Sequence, residues 1–332
     1  MTKKNLFNTM AVLLLTVAFL SCAKEVTEDN EATQRRILEA YIHENYGDDY
    51  QPTATGMYII PLKSGYGDFI QLDSCYALVQ YEVRSLSEIV LESSYEARAR
   101  EMGTYQPNHY YGRHLWKIGE DGINDGLEEL LRSIRVGGQS RGIIPPWLAS
   151  KNAEANITTS GSESIIIYDV QLDSIIRNRK QYEINRLQWY SHTQQNNLDS
   201  IAEGFYFKTL DAGKDTIADN VEVQIRYVGR YLSGQVFDTN IPDTAKRYRF
   251  YSGSDSDYST LAVTYRDSLE KMLDENELVD GFTRAVHSMN FGGHAITFFS
   301  SDWGYKGASQ SSNGGVPAWE PLFFEIWVEE KY

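Results

Sequence analysis

Apolar and polar residues alternate in short runs along most of the chain, a pattern that predicts half-buried β-strands. Helical spacing of apolar residues is confined to fewer segments, among them 34–46 and a polar stretch at 176–195. The strand runs follow one another without the strand–helix–strand alternation of parallel sheets. The chain is therefore predicted to be α+β, with antiparallel sheets that pack on short helices.

The same order of elements occurs twice. The strand around Tyr81 corresponds to the strand around Tyr227, and Gly126 and Gly281 each lie where a tight turn is expected to lead into a short helix. Glycine pairs at 137–138 and 292–293 and final strands at 164–170 and 321–326 follow at nearly constant spacing. A period this long predicts a duplicated domain rather than a solenoid.

Length and composition agree with two packed domains and exclude several functions. The chain has 332 residues, of which 42% are hydrophobic. Its formal net charge of −15 and the absence of a long Lys/Arg run argue against nucleic acid as a partner. The six histidines show no metal-ligand spacing, and no nucleophile elbow or phosphate-binding glycine loop is present. We therefore expect neither a metal nor a cofactor.

The N-terminus is predicted to be a targeting signal rather than part of the fold. Lys3 and Lys4 precede an apolar run that is too short to span a membrane comfortably, and this run ends at Ser21-Cys22. A small residue directly before cysteine resembles a bacterial lipobox, in which cleavage before Cys22 leaves that residue lipidated. The alternative is a soluble secretory signal with an incidental cysteine. Cys75 would then be the remaining thiol, expected to be structural and half-buried rather than nucleophilic.

The downstream half contains an ordered set of motifs, namely the strand Tyr227-x-Gly229, the pair Phe237-Asp238, the run Leu278-Val-Asp-Gly-Phe282, the loop residue Tyr305, the segment Val316-Pro317 and Phe324 on the last strand. This order of residues resembles the FKBP-type peptidyl-prolyl cis-trans isomerases, and the upstream half resembles them more weakly. The resemblance implies two consecutive FKBP-like domains, each a five-stranded antiparallel sheet wrapped on a short helix. In this family, the prolyl substrate binds in an aromatic pocket between sheet and helix.

The resemblance also implies the roles of individual residues. The catalytic set is Tyr227, Phe237, Asp238, Tyr305 and Phe324, and the substrate-binding set is Phe250, Leu278, Val279, Phe282 and Val316. In this assignment Tyr248 and Phe250 alternate on the strand before the helix, and Phe282 replaces the usual tryptophan. The Tyr305 hydroxyl and the Val279 N–H would donate to a substrate carbonyl. Taken alone, Tyr227 and Phe324 would be assigned to a sheet core, because aromatic residues on strands usually are, and Asp238 could equally be a turn residue.

The resemblance divides the chain into a signal peptide (1–21), a tether with an N-terminal helix (22–54), a degenerate FKBP-like domain (55–176), a linker helix (177–203) and an isomerase domain (204–332). The degenerate domain has Leu91-Glu92 where Phe-Asp is expected and Leu127 where an aromatic is expected, so we predict a retained fold without catalysis.

Residues 254–276 are predicted to be a helical insertion directly before the pocket helix. Apolar residues recur there at helical spacing, at Tyr265, Leu269, Met272 and Leu273. Such a helix would either rim the pocket and contact client chains or pack on the sheet edge.

The predicted function is isomerisation of X-Pro bonds in extracytoplasmic proteins, which assists their folding. The partners would be proline-containing client polypeptides and, through Cys22, the membrane of the bacterial cell envelope, with the outer membrane favoured. A non-catalytic FKBP-fold chaperone or peptide-binding lipoprotein is the alternative, and a purely structural surface lipoprotein is another.

Overall fold

The computed structural model describes residues 30–120, 122–149, 164–310 and 315–329. These residues form two antiparallel sheets with helices, so the predicted α+β class with two FKBP-like units is confirmed. Cys22 and the predicted signal peptide lie outside the described residues. In the described ranges, no helix has the length and apolar character needed to cross a membrane.

The upstream sheet is built from β1 (Tyr58–Lys63), β2 (Cys75–Ser85), β3 (Val90–Ser93), β4 (His114–Ile118), β5 (Gln139–Ile144) and β6 (Ile166–Ile176). Its strand order is β1-β5-β6-β2-β3, and β4 also pairs with β2. The helices of this half are α1 (Asn30–Tyr46), α2 (Glu96–Glu101), α3 (Asp125–Arg132) and α4 (Pro146–Ala149).

The downstream half begins with helix α5 (Arg179–Gln194). Its strands are β7 (Ser200–Ala202), β8 (Phe205–Asp211), β9 (Val221–Tyr231), β10 (Val236–Thr239), β11 (Leu261–Tyr265), β12 (His294–Phe299) and β13 (Leu322–Val328), and its further helices are α6 (Pro242–Tyr248), α7 (Leu269–Glu275) and α8 (Asp280–His287). The strand order is β10-β9-β13-β12-β8-β7, and β11 also pairs with β9.

Both sheets contain more than the five predicted strands. The long strands β2 and β9 each pair with two short strands along one edge, namely β3 and β4 on β2, and β10 and β11 on β9. Counted by position across the sheet, the upstream domain therefore has the expected five-strand width. The downstream sheet is one position wider because β7 is added beside β8.

The strand registers agree with the repeat that the sequence predicts. The equivalent cross-strand pairs are Tyr81 with Val170 and Val83 with Tyr168 upstream, and Tyr227 with Ile326 and Gly229 with Phe324 downstream. Equivalent positions therefore face equivalent neighbours, and the two domains can be compared residue by residue.

Gly126 and Gly281 lie in the first turn of the central helices α3 and α8, and neither has a positive φ. A Cβ atom on Gly126 would lie 2.5 Å from Ile144, and one on Gly281 would lie 2.5 Å from the Phe299 ring. The expected tight turn is therefore wrong at both positions. Each glycine instead allows the helix to approach the sheet closely.

A second helix covers the other face of each sheet. Leu38 and Ile42 of α1 are buried against the upstream sheet, and Leu187 and Tyr190 of α5 are buried against the downstream sheet. Helix α5 lies inside the predicted linker, yet it packs as part of the downstream domain. The repeated unit is thus an outer helix followed by a sheet and its central helix.

The predicted helical insertion at 254–276 is only partly helical. It contains a 3₁₀ turn (Asp255–Tyr258), the strand β11 and the helix α7. Tyr265 ends the strand and is not on the helix, while Met272 on α7 is fully buried in the domain core. Helical spacing was therefore informative for α7 alone, since β11 pairs with β9 and takes its conformation from the sheet.

Candidate functional site

A cavity of about 440 Å³ opens between the downstream sheet and the start of α8. Most of the predicted site residues line it, and they are Tyr227, Phe237, Asp238, Leu278, Val279, Phe282, Tyr305 and Phe324. They come from β9, β10, β13, the beginning of α8 and the loop after β12. The sheet therefore brings together residues that are nearly a hundred positions apart in sequence.

The apolar wall of the cavity is a set of aromatic rings in edge-to-face contact. The Phe282 ring lies 5.7 Å from that of Tyr227 and 5.2 Å from that of Phe324, and the Phe324 ring lies 5.7 Å from that of Phe237. Edge-to-face packing at these distances fixes ring orientation in addition to burying apolar area. The wall is consequently ordered before any ligand enters.

Gly229 on β9 allows two of these rings to reach the strand. A Cβ atom at this position would lie 2.7 Å from Phe237 Cζ and 3.0 Å from Phe324 Cε1. Both distances are shorter than a carbon–carbon contact normally allows. The glycine of the Tyr-x-Gly strand is therefore needed for close ring packing rather than for an unusual backbone conformation.

The polar part of the cavity is a tyrosine–carboxylate pair. Tyr227 Oη donates to Asp238 Oδ2 at 2.7 Å, and both side chains are largely shielded from water. Burial raises the pKa of Asp238, and the hydrogen bond from Tyr227 offsets part of that shift. Burial and the nearby Asp238 carboxyl raise the pKa of Tyr227 and of Tyr305. Both phenols therefore remain protonated donors at neutral pH.

Two hydrogen-bond donors of the cavity are unengaged. Val279 is the N-cap of α8 and its side chain cannot cap the helix. Among the residues that the structure describes, neither the Val279 N–H nor the Tyr305 hydroxyl has a hydrogen-bond partner. Both residues line the cavity. A carbonyl group bound there could accept from these donors.

Phe250 does not lie on a strand, and its predicted place in the pocket is wrong. Tyr248 ends helix α6, Arg249 has a φ of 67°, and Phe250 follows in a loop outside the cavity. Pro242 at the first helical position favours α6, so the aromatic alternation after it does not indicate a strand. The strand before α8 is β11, whose Leu261 lines the cavity instead.

Val316 also lies away from the cavity surface. It is 2% exposed and packs in the core cluster that includes the cavity's aromatic residues. Its predicted role as a direct substrate contact is therefore not supported by its position, because it is not among the residues that line the cavity.

Five lining residues were not predicted, and they are Leu261, Glu277, Asp280, Gly304 and Lys306. Glu277 and Asp280 flank the predicted pair Leu278 and Val279, and Lys306 follows Tyr305. Adjacency to a predicted site residue was the available signal for Glu277, Asp280, Gly304 and Lys306, whereas no such signal pointed to Leu261. They add two carboxylates and one ammonium group to a mainly aromatic cavity.

The described residues outside the cavity do not suggest another kind of chemistry. In residues 30–120, 122–149, 164–310 and 315–329, no group of three or more His, Cys, Asp or Glu side chains could hold a metal ion. Cys75 is the first residue of β2 and is 1% exposed, so it is fully buried rather than half-buried. Burial raises the pKa of its thiol, which disfavours the nucleophilic thiolate.

The upstream counterpart of the cavity is packed with side chains. Tyr81 Oη donates to Glu92 Oε1 at 2.5 Å, which repeats the downstream tyrosine–carboxylate pair. The rings of His114 and Trp116 each lie 5.0 Å from the Tyr81 ring, and Tyr81 is 3% exposed. His114 and Trp116 stand on β4, which occupies the sheet position of β11 downstream.

The model of the family described as FKBP-type peptidyl-prolyl cis-trans isomerase matches residues 213–329. The sequence match to the FKBP family thus lies in the downstream domain. The match contains every residue that lines the cavity. It stops short of the upstream sheet, whose FKBP-like character is seen in its strand order and register.

Several solved structures are similar to the chain. The three FKBP domains of wheat FKBP73 are 14% identical, with 85% of this chain and 98% of that chain covered and a TM-score of 0.30. FkpA from Escherichia coli is 21% identical, with 53% and 74% covered and a TM-score of 0.32. A peptidyl-prolyl cis-trans isomerase from Pseudomonas syringae pv. tomato is 20% identical, with 45% and 93% covered and a TM-score of 0.31. No curated protein matches the chain in sequence.

Proposed function

We propose that the downstream FKBP domain catalyses cis-trans isomerisation of X-Pro bonds in polypeptides. The observation that carries this proposal is the cavity itself, in which aromatic walls surround the Tyr227–Asp238 pair and two unengaged donors, the Val279 N–H and the Tyr305 hydroxyl. A site of this composition suits a reaction in which no covalent bond is made or broken.

Isomerisation of an X-Pro bond requires no reactive side chain. Rotation about the X-Pro bond has a barrier of ~18–20 kcal/mol because the planar amide is stabilised by resonance. The site must therefore bind the twisted amide more tightly than the planar one. A planar amide is the more polar form, so a water-poor cavity walled by Phe237, Phe282 and Phe324 disfavours it relative to the twisted form.

The two donors act on the carbonyl groups of the bound peptide. When the amide twists, its carbonyl changes direction, and the Tyr305 hydroxyl and Val279 N–H offer hydrogen bonds that suit the new geometry better than the old one. Each preference of about 1.4 kcal/mol for the twisted state gives roughly a tenfold gain in rate. Two such hydrogen bonds, together with the apolar wall, suffice for a useful isomerase.

The site is proposed to work outside the cytoplasm. The support is the lipobox-like sequence that ends at Cys22, which would anchor the chain in the cell envelope and present the downstream domain to newly exported, proline-containing polypeptides. Mass spectrometry of the purified native protein tests this part. A diacylglycerol-modified Cys22 at the N-terminus supports it, and an unmodified chain cleaved elsewhere refutes it.

A peptide-binding chaperone without catalysis is the second candidate. The upstream domain favours this candidate, because Trp116 and His114 cover Tyr81 there and the fold is nevertheless retained. The fold in this chain therefore does not require an open site. Both candidate functions require peptide binding, but only the isomerase accelerates the cis-trans interconversion of X-Pro bonds.

A protease-coupled prolyl-peptide assay on the full chain separates them. We expect activity that is lost when Tyr227, Phe237 and Asp238 are all replaced by alanine. The matched control is the upstream double variant Tyr81→Phe with Glu92→Gln, which should keep full activity. Peptide binding without turnover in the unmodified chain would favour the chaperone, and activity that survives the triple replacement would show that the site lies elsewhere.

A further inference from the structure

The loop that carries Tyr305 is held by parts of the chain that lie outside the family match. This loop joins β12 to β13, and its described residues are 300–310 and 315–321. Helix α5 contacts it from one side, and residues of the upstream domain contact it from another. The position of Tyr305 therefore depends on more than the downstream domain.

The contacts with α5 are buried ionic hydrogen bonds. Glu183, which is 0% exposed, accepts from the Ser301 N–H at 2.7 Å and from its hydroxyl at 2.9 Å. Arg186 donates to both carboxylate oxygens of Glu320, at 3.0 and 2.7 Å. Hydrogen bonds to charged groups are stronger than neutral ones, especially when buried. Both ends of the loop are thereby fixed to α5.

Two backbone hydrogen bonds connect these ends to the residue after Tyr305. The Lys306 N–H donates to the Ser301 carbonyl at 2.9 Å, and the Trp319 N–H donates to the Lys306 carbonyl at 2.9 Å. Lys306 and Trp319 have φ values of 55° and 61°, which residues other than glycine rarely adopt. Surrounding contacts must maintain such a conformation.

Trp319 provides those contacts by its place between the two domains. Its ring meets the Tyr76 ring of β2 edge to face, with centroids 5.5 Å apart, and the Arg179 guanidinium lies 4.5 Å from its centroid. Trp319 does not line the cavity. It therefore connects the upstream domain to the backbone beside Tyr305 without itself lining the cavity.

A second contact between the domains reaches the same region. Gln235, in the turn between β9 and β10, donates from Nε2 to the carbonyls of Pro107 and His109. A Cβ atom on Gly315 would lie 2.8 Å from His109 Nδ1, so this part of the loop also packs against the upstream domain. Two separate contacts thus restrict movement between the domains.

We propose that the upstream domain positions the Tyr305 loop, with Tyr76 acting through Trp319 and Lys306. Trp319 and Tyr76 are positioning residues. Without the Tyr76 ring, Trp319 loses an edge-to-face ring contact and the Trp319–Lys306 hydrogen bond opens more often. The consequence for catalysis rests on the proposed isomerase function, whereas the consequence for loop order does not.

Hydrogen exchange in the full chain tests the effect on loop order. In Tyr76→Ala, the peptic fragments that contain Lys306 and Trp319 should exchange about three- to tenfold faster, since a ring pair contributes about 0.5–1.5 kcal/mol. Tyr76→Phe keeps the ring and should exchange as the unmodified chain does. Tyr66→Ala removes an 88% exposed tyrosine of the same domain and is the matched control. Unchanged loop exchange in Tyr76→Ala would overturn the proposal.

A double-mutant cycle tests the effect on catalysis. Tyr76→Ala should lower kcat/KM by about three- to tenfold in the unmodified background and have no further effect in the Tyr305→Phe background, because coupled residues are not additive. Equal losses in both backgrounds would show that Tyr76 does not act through Tyr305. An unmodified chain without isomerase activity would refute the proposed function, and hydrogen exchange would still decide the positioning proposal.

Discussion

Tyr227 and Tyr81 occupy the same register position in the two sheets, and each donates to a carboxylate on the neighbouring edge strand. Tyr227 borders an open cavity, whereas Tyr81 is packed against Trp116 and His114. The hydrogen-bonded pair is therefore compatible with both an open and a filled site. The side chains around the pair decide between them.

One position on the central strand accounts for much of this difference. Gly229 leaves room for the Phe237 ring, which is 2% exposed, while the upstream sheet has buried Val83 at that place. The upstream residue equivalent to Phe237 is Leu91, which is 45% exposed. Upstream, the Val83 side chain occupies the position that Gly229 leaves open downstream. The residue that would form the aromatic wall there is Leu91, which faces outward.

The two central helices begin differently as well. Asn124 caps α3 and its Oδ1 accepts from the Leu127 N–H at 2.9 Å. Val279 occupies the same place before α8 and offers no such acceptor. The upstream helix start is satisfied by its own side chain, whereas downstream the equivalent Phe282 N–H donates to the Val279 carbonyl at 3.0 Å.

The largest effect is expected from Gly229→Val, which should give the downstream domain the upstream arrangement. The valine would displace Phe237 and Phe324, so isomerase activity should fall by roughly a hundredfold or more, with overpacking that lowers the free energy of unfolding by about 1–3 kcal/mol. Enzyme kinetics and urea unfolding measure both. Val83→Ala upstream is the control, and activity close to normal in Gly229→Val would refute our explanation.

The filled upstream site should respond to acid through His114. Burial, and to a smaller extent His109, lowers the pKa of His114 to about 3, and its Nε2 is buried without a hydrogen bond among the described residues. An unfolded histidine has a pKa of about 6.5. Because the folded state keeps this ring neutral, the unfolded chain takes up the proton first as the pH falls below about 6.5. The free energy of unfolding therefore decreases as the pH falls through the unfolded pKa toward about 3.

Replacement of this histidine tests that expectation. Between pH 7 and pH 5 the free energy of unfolding should fall by roughly 2 kcal/mol from this group alone. His114→Leu introduces the residue type found at the equivalent downstream position, Leu261, and should remove that part of the decrease. Urea unfolding at both pH values is the measurement, and an equally steep decrease in the variant would contradict the assignment.

A smaller loss should follow from Tyr305→Phe, which removes one donor and keeps the ring. We expect kcat/KM to fall by about tenfold, which corresponds to about 1.4 kcal/mol of transition-state stabilisation, with an unchanged melting temperature. Tyr66→Phe in the upstream domain controls for loss of an exposed hydroxyl. A variant as active as the unmodified chain would leave the Val279 N–H as the donor to examine.

The smallest effect is expected from exchanging the helix caps. Val279→Asn should stabilise α8 by about 1 kcal/mol, as asparagine does at other N-caps, and lower activity a fewfold because a polar side chain replaces an apolar one in the cavity lining. Asn124→Val should weaken α3 by a similar amount and leave activity unchanged. Thermal unfolding and kinetics report the two effects, and a simultaneous gain of stability and activity in Val279→Asn would oppose our interpretation.

The sequence predicted the residues that a rigid sheet positions and failed where local structure depends on tertiary packing. Tyr227, Asp238 and Phe324 follow from strand alternation and the family's order of motifs, because register fixes their neighbours. Phe250 was misplaced because alternation over three residues does not distinguish a strand from the end of a helix. The Tyr76–Trp319 contact joins distant segments, and no periodicity in the sequence encodes such a contact.

The last strand of each domain lies in the interior of its sheet. β13 is paired on one side with β9 and on the other with β12, and β6 has the same place between β2 and β5. During synthesis, an emerging chain therefore cannot close either sheet until that final strand appears, and the outer helix cannot pack before the sheet face that it covers has formed. Because such long-range pairing is slow, each domain passes through a period with exposed apolar surface. While it folds, the protein itself would therefore need the kind of folding assistance that we propose it gives to other chains.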